Sequence, residues 1–341
     1  MSIYKFIADY KKQKANRWHT PGHKGVLNSF DITELVCDEK LQKLLENAQK
    51  RVAQFYSAKE ARLLTNGSSI GLKAAILAIE GDILSFSGRH QAVDEAATLA
   101  KMKVFEVERR AFEATVDDIK LVLNSNKTIK AIVIESPDYY GRVIQKEVMD
   151  YIKNSGLVFI CDAAHGAHFA AYDVLKKECL ASVADIINLS SHKTLNAYTQ
   201  TAYLCINDLS LVSNVDTALK NLGTTSPNYI FLAQLEQAII DAKNNSDKYR
   251  WLYESSQSFK EDIPCIKNKD FTRLVVDAKK LGFTGEELTR KLIYQKIYPE
   301  KFDDNFVIFI ATPNDTKQKF DRLKKIILLL KLKQKNEFNN G

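Results

Sequence analysis

The chain has 341 residues, 45% hydrophobic and 27% charged, the balance of an ordinary globular protein long enough for two domains. Its net charge is +7, but residues 1–25 carry +5 and residues 317–335 carry +7, so the rest carries −5; a mildly acidic body argues against a nucleic-acid partner. No apolar run approaches the ~20 residues that span a bilayer, and five widely spaced cysteines (Cys37, Cys161, Cys179, Cys205, Cys265) without a CxxC pair argue for reduced cytoplasmic thiols over disulfides or structural zinc.

The N-terminal stretch MSIYKFIADYKKQKANRW has no continuous apolar core before a small-residue cleavage site, so no secretory signal is expected. LLTNGSSIGLKAAILAI (63–79) reads as a short apolar entry, a Gly-Ser-Ser turn and a helix. Backbone N–H groups and hydroxyls at a helix N-terminus form an anion-binding arrangement. Strand-like runs follow: KVFEV (103–107), AIVIE (131–135), LVFIC (157–161), DIINLS (185–190) and AYLCI (202–206). Helical patterns separate several of them, such as VIQKEVMDYIKNSG (143–156) with its Gly stop. Such alternation predicts an α/β domain with a mostly parallel sheet, whose ligands bind beyond the carboxyl ends of the strands.

After residue 228 the pattern changes. One long helical stretch is expected to about Ile263, then a strand (FTRLVVDA), a helix capped by Thr284 (TGEELTRKLIYQ), a strand (FVIFIAT) and a basic terminal helix with an apolar stripe. The division expected is a large domain at 1–228 and a linking helix with a small α/β domain at 229–341. Only six prolines and no Gly/Ser linker suggest that the two pack together.

Polar groups stand at two of the strand ends. Asp162 directly follows LVFIC, where a carboxylate is costly without a partner. Lys193, in LSSHKTLNAY, follows DIINLS in the same way. The plain readings are a helix-capping Asp and a surface Lys. Taken with the Gly-Ser-Ser turn, however, they supply an anion cradle, an acid and a lysine at one sheet edge. Pyridoxal phosphate needs these for its phosphate, its pyridine nitrogen and its aldehyde. The six histidines, His19, His23, His90, His165, His168 and His192, all fall in turn-rich stretches. The pairs His19/His23 and His165/His168 lack the helical HExxH form of a zinc site, and no metal is expected.

HTPGHKG (19–25), DITE (31–34), TNGSS (65–69), SPDYYG (136–141), DAAHGAHF (162–169), SSHKTLNAYTQTA (190–202) and TTSPNY (224–229) occur in an order that resembles the bacterial ornithine/lysine/arginine decarboxylases. These are fold-type-I pyridoxal-phosphate enzymes, with a seven-stranded, mostly parallel sheet in the large domain and a smaller C-terminal α/β domain. The resemblance runs from about Tyr4 to Leu330 and implies a function: decarboxylation of lysine, arginine or ornithine to the amine, in polyamine metabolism. Lys193 is implied as the internal-aldimine lysine, Asp162 as the partner of the pyridinium nitrogen, and His90 as the residue stacked on the ring, with Ala164 beneath it. Ser68, Ser69, Ser190 and His192 are implied at the phosphate. His165 would orient the cofactor or the Asp162 loop. Thr224 and Thr225 would reach a partner subunit's phosphate, which implies a homodimer with shared sites. PGHKG would line the entrance.

Three features depart from that pattern. The family's further C-terminal domain is not represented, Ala163 replaces an acid after Asp162, and Asp138 stands where a threonine is usual. The cofactor set is thus expected intact and the substrate set incomplete. The alternatives are another enzyme of this fold, an aminotransferase or lyase, or a non-catalytic cofactor-binding paralogue. An aminotransferase would need an arginine for the substrate carboxylate, and none of Arg250, Arg273, Arg290 and Arg322 stands out as one.

Overall fold

The computed structural model describes residues 1–33, 35 and 39–339. Glu34 of the DITE motif, Cys37 and the last two residues lie outside the described residues. By internal contact the chain divides into two units, Met1–Ser136 with Val143–Asn244, and Pro137–Arg142 with Asn245–Gly341.

In the first unit, short aliphatic segments form strands β1 (Glu60–Leu64), β2 (Asp82–Phe86), β3 (Val104–Val107), β4 (Ile129–Glu135), β5 (Val158–Asp162), β6 (Ile186–Leu189) and β7 (Ala202–Ile206). They make one seven-stranded sheet in the order β1-β7-β6-β5-β4-β2-β3. Strand β7 runs antiparallel to β6 and β1; the other pairings are parallel. Near-continuous apolar runs are what a sheet buried on both faces requires. Along β4, Ile132 and Ile134 enter one core cluster while Ala131 and Val133 enter the other. That is the two-residue period of a strand made visible. Strand β2 is not among the expected runs, because Asp82 and Ser85 interrupt its apolar pattern. Ser85 satisfies its buried hydroxyl by donating to the Val133 carbonyl at 3.0 Å.

Helices α1 (Ile3–Lys12), α2 (Glu39–Tyr56), α3 (Ser68–Leu77), α4 (Gln91–Ala100), α5 (Val116–Ser125), α6 (Lys146–Lys153), α7 (Asp173–Lys176), α8 (Ser191–Thr194), α9 (Val212–Leu222) and α10 (Tyr229–Asn244) complete this unit. The long helix expected over 229–263 is two helices. It breaks at Asn245 (φ −108°, ψ 34°), before α11 (Ser246–Asp262). The Asn-Asn-Ser-Asp run at the break favours local side-chain-to-backbone bonding over helix continuation. The unit boundary therefore falls at Asn244, past the expected 228. Helix α10 stays with the first unit because its buried face, including Tyr229, Leu232 and Ala233, shares a core with Ile3, Phe6 and Leu44.

Glu236 of α10 is 2% exposed. It accepts a hydrogen bond from the Ile3 N–H at 2.7 Å and pairs with Arg51 of α2, so one carboxylate ties three helices. Glu236→Ala would strand a buried N–H and unpair Arg51. It is expected to lower stability by about 2–4 kcal/mol, read as a lower urea midpoint at unchanged slope.

The second unit has strands β8 (Arg273–Asp277), β9 (Lys301–Phe302) and β10 (Phe306–Ile310), paired antiparallel in the order β8-β10-β9, with α11, α12 (Gly285–Tyr294) and α13 (Lys317–Asn339). Thr284 caps α12 as expected: its hydroxyl accepts from the Glu287 N–H at 3.2 Å, and Glu287 accepts from the Thr284 N–H at 2.8 Å. Asp138 has a structural task in this unit, accepting the Tyr140 and Arg142 N–H groups at 2.9 Å and pairing with the Arg142 guanidinium. No helix among the described residues is long and apolar enough to cross a membrane.

Candidate active site

The candidate site lies at the carboxyl ends of β5 and β6, within the first unit. Asp162 is the last residue of β5 and is 6% exposed. Its register partner on β6 is Asn188. Side chains opposite each other in paired strands share a face, and the Asn188 amide donates to Asp162 Oδ1 at 3.0 Å. The Ala164 N–H donates to the same oxygen at 3.2 Å. Oδ2 accepts no hydrogen bond from the described residues. Burial pushes the carboxyl above the usual carboxylate range. The Asn188 bond, the nearby His90 and Lys193, and the Ala164 N–H work against that rise.

Past β6 the chain turns into the single helical turn α8, which carries Lys193. Lys193 is half-buried, and its Nζ lies 3.0 Å from Nε2 of His165, itself only 3% exposed. A neutral imidazole can accept the ammonium proton, which an amine must lose before it attacks an aldehyde. The structure thus sets His165, expected to orient a cofactor or the Asp162 loop, against the candidate nucleophile.

Ser190 is fully buried; its Oγ lies 3.2 Å from His192 Nδ1. The same Nδ1 lies 3.2 Å from the Thr201 carbonyl. Ser68 and Ser69 open helix α3 behind Gly67, at φ +89° and ψ 162°. Only glycine holds that backbone conformation without strain, and it supplies no capping side chain. The first N–H groups of α3 have no intrahelical partner and suit an anion. The Gln200 amide donates to the Thr65 carbonyl at 3.0 Å, joining the segment before α3 to the one after α8.

His90 begins α4, where its Nδ1 accepts the Ala92 N–H at 3.1 Å. Its ring is otherwise exposed and acts on Asp162 electrostatically. Ala164 is half-buried just past Asp162. Thr225 stands apart from this group. It is exposed on the segment between α9 and α10, with no hydrogen bond to the others among the described residues, while Thr224 accepts the Ser226 N–H at 3.1 Å. Arg273 is fully buried, 3.5 Å from Asp270.

Two residues of the site are not anticipated by the sequence reading. Asn188 reads only as part of a strand, although an amide inside an aliphatic parallel strand is itself a signal, since it must be bonded when buried. Gly71, in the first turn of α3, is the other: a Cβ there would come within 2.7 Å of Asn188 Oδ1 and 2.6 Å of Leu64 Cδ1. A side chain there would push the Asn188 amide and the Leu64 methyl aside, so glycine suits this close approach of α3 to β6.

These residues suit pyridoxal phosphate. Asp162 Oδ2 awaits a donor such as a protonated ring nitrogen, Lys193 offers an amine, and α3 offers an anion-binding N-terminus. Comparison with known proteins agrees. Residues 2–277 match the family described as Orn/Lys/Arg decarboxylase, major domain. The uncharacterized protein YaaO of Bacillus subtilis is 26% identical over 90% of this chain and 73% of its own length. An arginine decarboxylase of Bacillus subtilis is 24% identical over 94% of this chain and 75% of its own. Among solved structures, the lysine decarboxylase LdcF of Francisella novicida superposes with a TM-score of 0.81 at 16% identity, covering 97% of this chain. This chain spans 60% of that protein's length. The fold is that of the fold-type-I pyridoxal-phosphate enzymes, and the match over the major domain makes the chain a member of the Orn/Lys/Arg decarboxylase family.

Proposed function

We propose that this protein decarboxylates a basic amino acid, lysine, arginine or ornithine, with pyridoxal phosphate attached through Lys193. The observation that carries this reading is Asp162, a buried strand-end carboxylate whose Oδ2 lacks a donor among the described residues, on the strand next to the one that leads into Lys193. Bound there, the cofactor supplies an aldehyde for the substrate amine and a ring that accepts the electrons released as the carboxylate leaves.

The chain's own residues do the rest. Asp162 keeps the ring nitrogen protonated and so keeps the ring electron-withdrawing. Lys193 holds the aldehyde between turnovers, and His165 takes or returns the amine's proton across their 3.0 Å contact. His90, at the start of α4, and Ala164, just past β5, would hold the ring. The N-terminus of α3, with Ser68, Ser69, Ser190 and His192, holds the phosphate. The family is pyridoxal-phosphate dependent, and its relatives named for arginine and lysine support a basic substrate.

The product is a diamine or agmatine, which places the reaction in polyamine metabolism. The free cysteines Cys161, Cys179, Cys205 and Cys265 support a cytoplasmic location. The reading extends to a homodimer in which the exposed Thr225 loop serves the partner's site. The test has two parts. Borohydride reduction of the cofactor-loaded protein, followed by peptide mapping, should find the cofactor on Lys193. Incubation with each amino acid should then yield the matching amine from one of the three. Cofactor on another lysine, or no amine product from any, would overturn the reading.

A further inference from the structure

Asn188 has a clear geometric assignment that the family motifs leave out. It sits on β6 in register with Asp162 and is 1% exposed. Its Nδ2 meets Asp162 Oδ1 at 3.0 Å. Its Oδ1 has no hydrogen-bond partner among the described residues and faces Gly71. A buried amide carbonyl without a partner is disfavoured, so the amide orientation is set from the other end, by the carboxylate. Turned over, the amide would aim its oxygen at Asp162.

We propose that Asn188 is the positioning residue of the cofactor site: it occupies Asp162 Oδ1 as a donor and so turns Oδ2 to the ring nitrogen. Gly71 gives the amide room and places the first turn of the phosphate-binding helix directly against it. One buried amide thereby couples the ring end of the site to the phosphate end. The assignment rests on the pyridoxal-phosphate reading above and deepens it.

Removing the donor leaves burial less opposed at Asp162, so the carboxylate takes up its proton at higher pH than in the wild type. Other titratable groups around Asp162 are His90 from α4, Lys193 from α8, its register partner Glu135 on β4 and the neighbouring Cys161 thiol, which burial keeps protonated. All stay in place in the variants below, so a change between variants reports on position 188.

The test measures pyridoxal-phosphate affinity against pH, by quenching of intrinsic fluorescence and by the visible cofactor band, for wild type, Asn188→Leu and Asn188→Asp. Asn188→Leu keeps the size and removes the donor. It is expected to bind the cofactor about tenfold more weakly at neutral pH, the loss of one hydrogen bond to a charged group, with the acid limb of binding moved to higher pH. Asn188→Asp can donate only while the carboxyl pair shares a proton, so its binding should decline as pH rises, the opposite direction. A merely structural role would not give opposite pH dependences. If Asn188→Leu does not fold, as judged by thermal melting, Asn188→Asp decides alone. Wild-type affinity and pH dependence in the folded variants would overturn the proposal while leaving the cofactor reading intact. Failure of the wild type to bind the cofactor would overturn both.

Discussion

Lys193→Ala is expected to lower decarboxylation by about 10⁵-fold or more, with the fold retained. Removal of a residue that bonds covalently in the reaction costs on this scale. Lys193 has two tasks in the proposed chemistry: it holds the aldehyde between turnovers and exchanges a proton with His165 at 3.0 Å. Alanine does neither. Since the side chain is half-buried in a single-turn helix, its loss opens little core, and stability should change by less than about 1 kcal/mol. The check is turnover at saturating pyridoxal phosphate, with a melting curve alongside. Activity within tenfold of wild type would remove Lys193 from its assigned place.

Asp162→Asn is expected to lower turnover by about 10²–10³-fold, the usual cost of losing one preorganised electrostatic partner, while making the cofactor-free protein more stable at neutral pH. The two effects have one cause. Asparagine keeps the acceptor for Asn188 and Ala164 but replaces Oδ2 with an amide donor. A donor there bonds an unprotonated ring nitrogen, and the ring loses its electron-withdrawing charge. The stability effect follows from burial, which holds the Asp162 carboxyl above the usual carboxylate range. The folded protein then binds that proton more tightly than the unfolded chain, and stability is lost as pH rises through the folded value. The substituted amide has no charge to desolvate. The variant should therefore melt above wild type at neutral pH, and the gap should close below about pH 4, where the unfolded carboxyl is protonated as well. Equal melting temperatures at neutral pH would contradict the account of Asp162.

Much of this site is legible in the sequence because its chemistry-bearing residues follow aliphatic runs directly. Position alone places Asp162 after LVFIC and Lys193 after DIINLS, and the parallel sheet follows from the alternation of strands and helices. Other parts depend on three-dimensional register. The pairing of Asp162 with Asn188 crosses two strands, and nothing local in DIINLS names its partner. The close approach of Gly71 to β6 is equally a property of packing. Strand β2 escapes notice because Asp82 and Ser85 break its pattern, although Ser85 is satisfied by the neighbouring strand. The break at Asn245 is written in its Asn-Asn-Ser-Asp run but is masked by the strong helical periodicity on either side.

A contact of His165 adds to the role expected of it. Its position three residues after Asp162 suggests a part in orienting the loop or the cofactor, whereas its Nε2 meets the amine of Lys193. That contact sets a buried imidazole beside the residue proposed to carry the cofactor.

The central claim is most directly tested by release of labelled carbon dioxide from carboxyl-labelled lysine, arginine and ornithine by the pyridoxal-phosphate-loaded protein. The account predicts release from one of the three that disappears in Lys193→Ala. Release from none of them, by a protein that binds the cofactor, would contradict it.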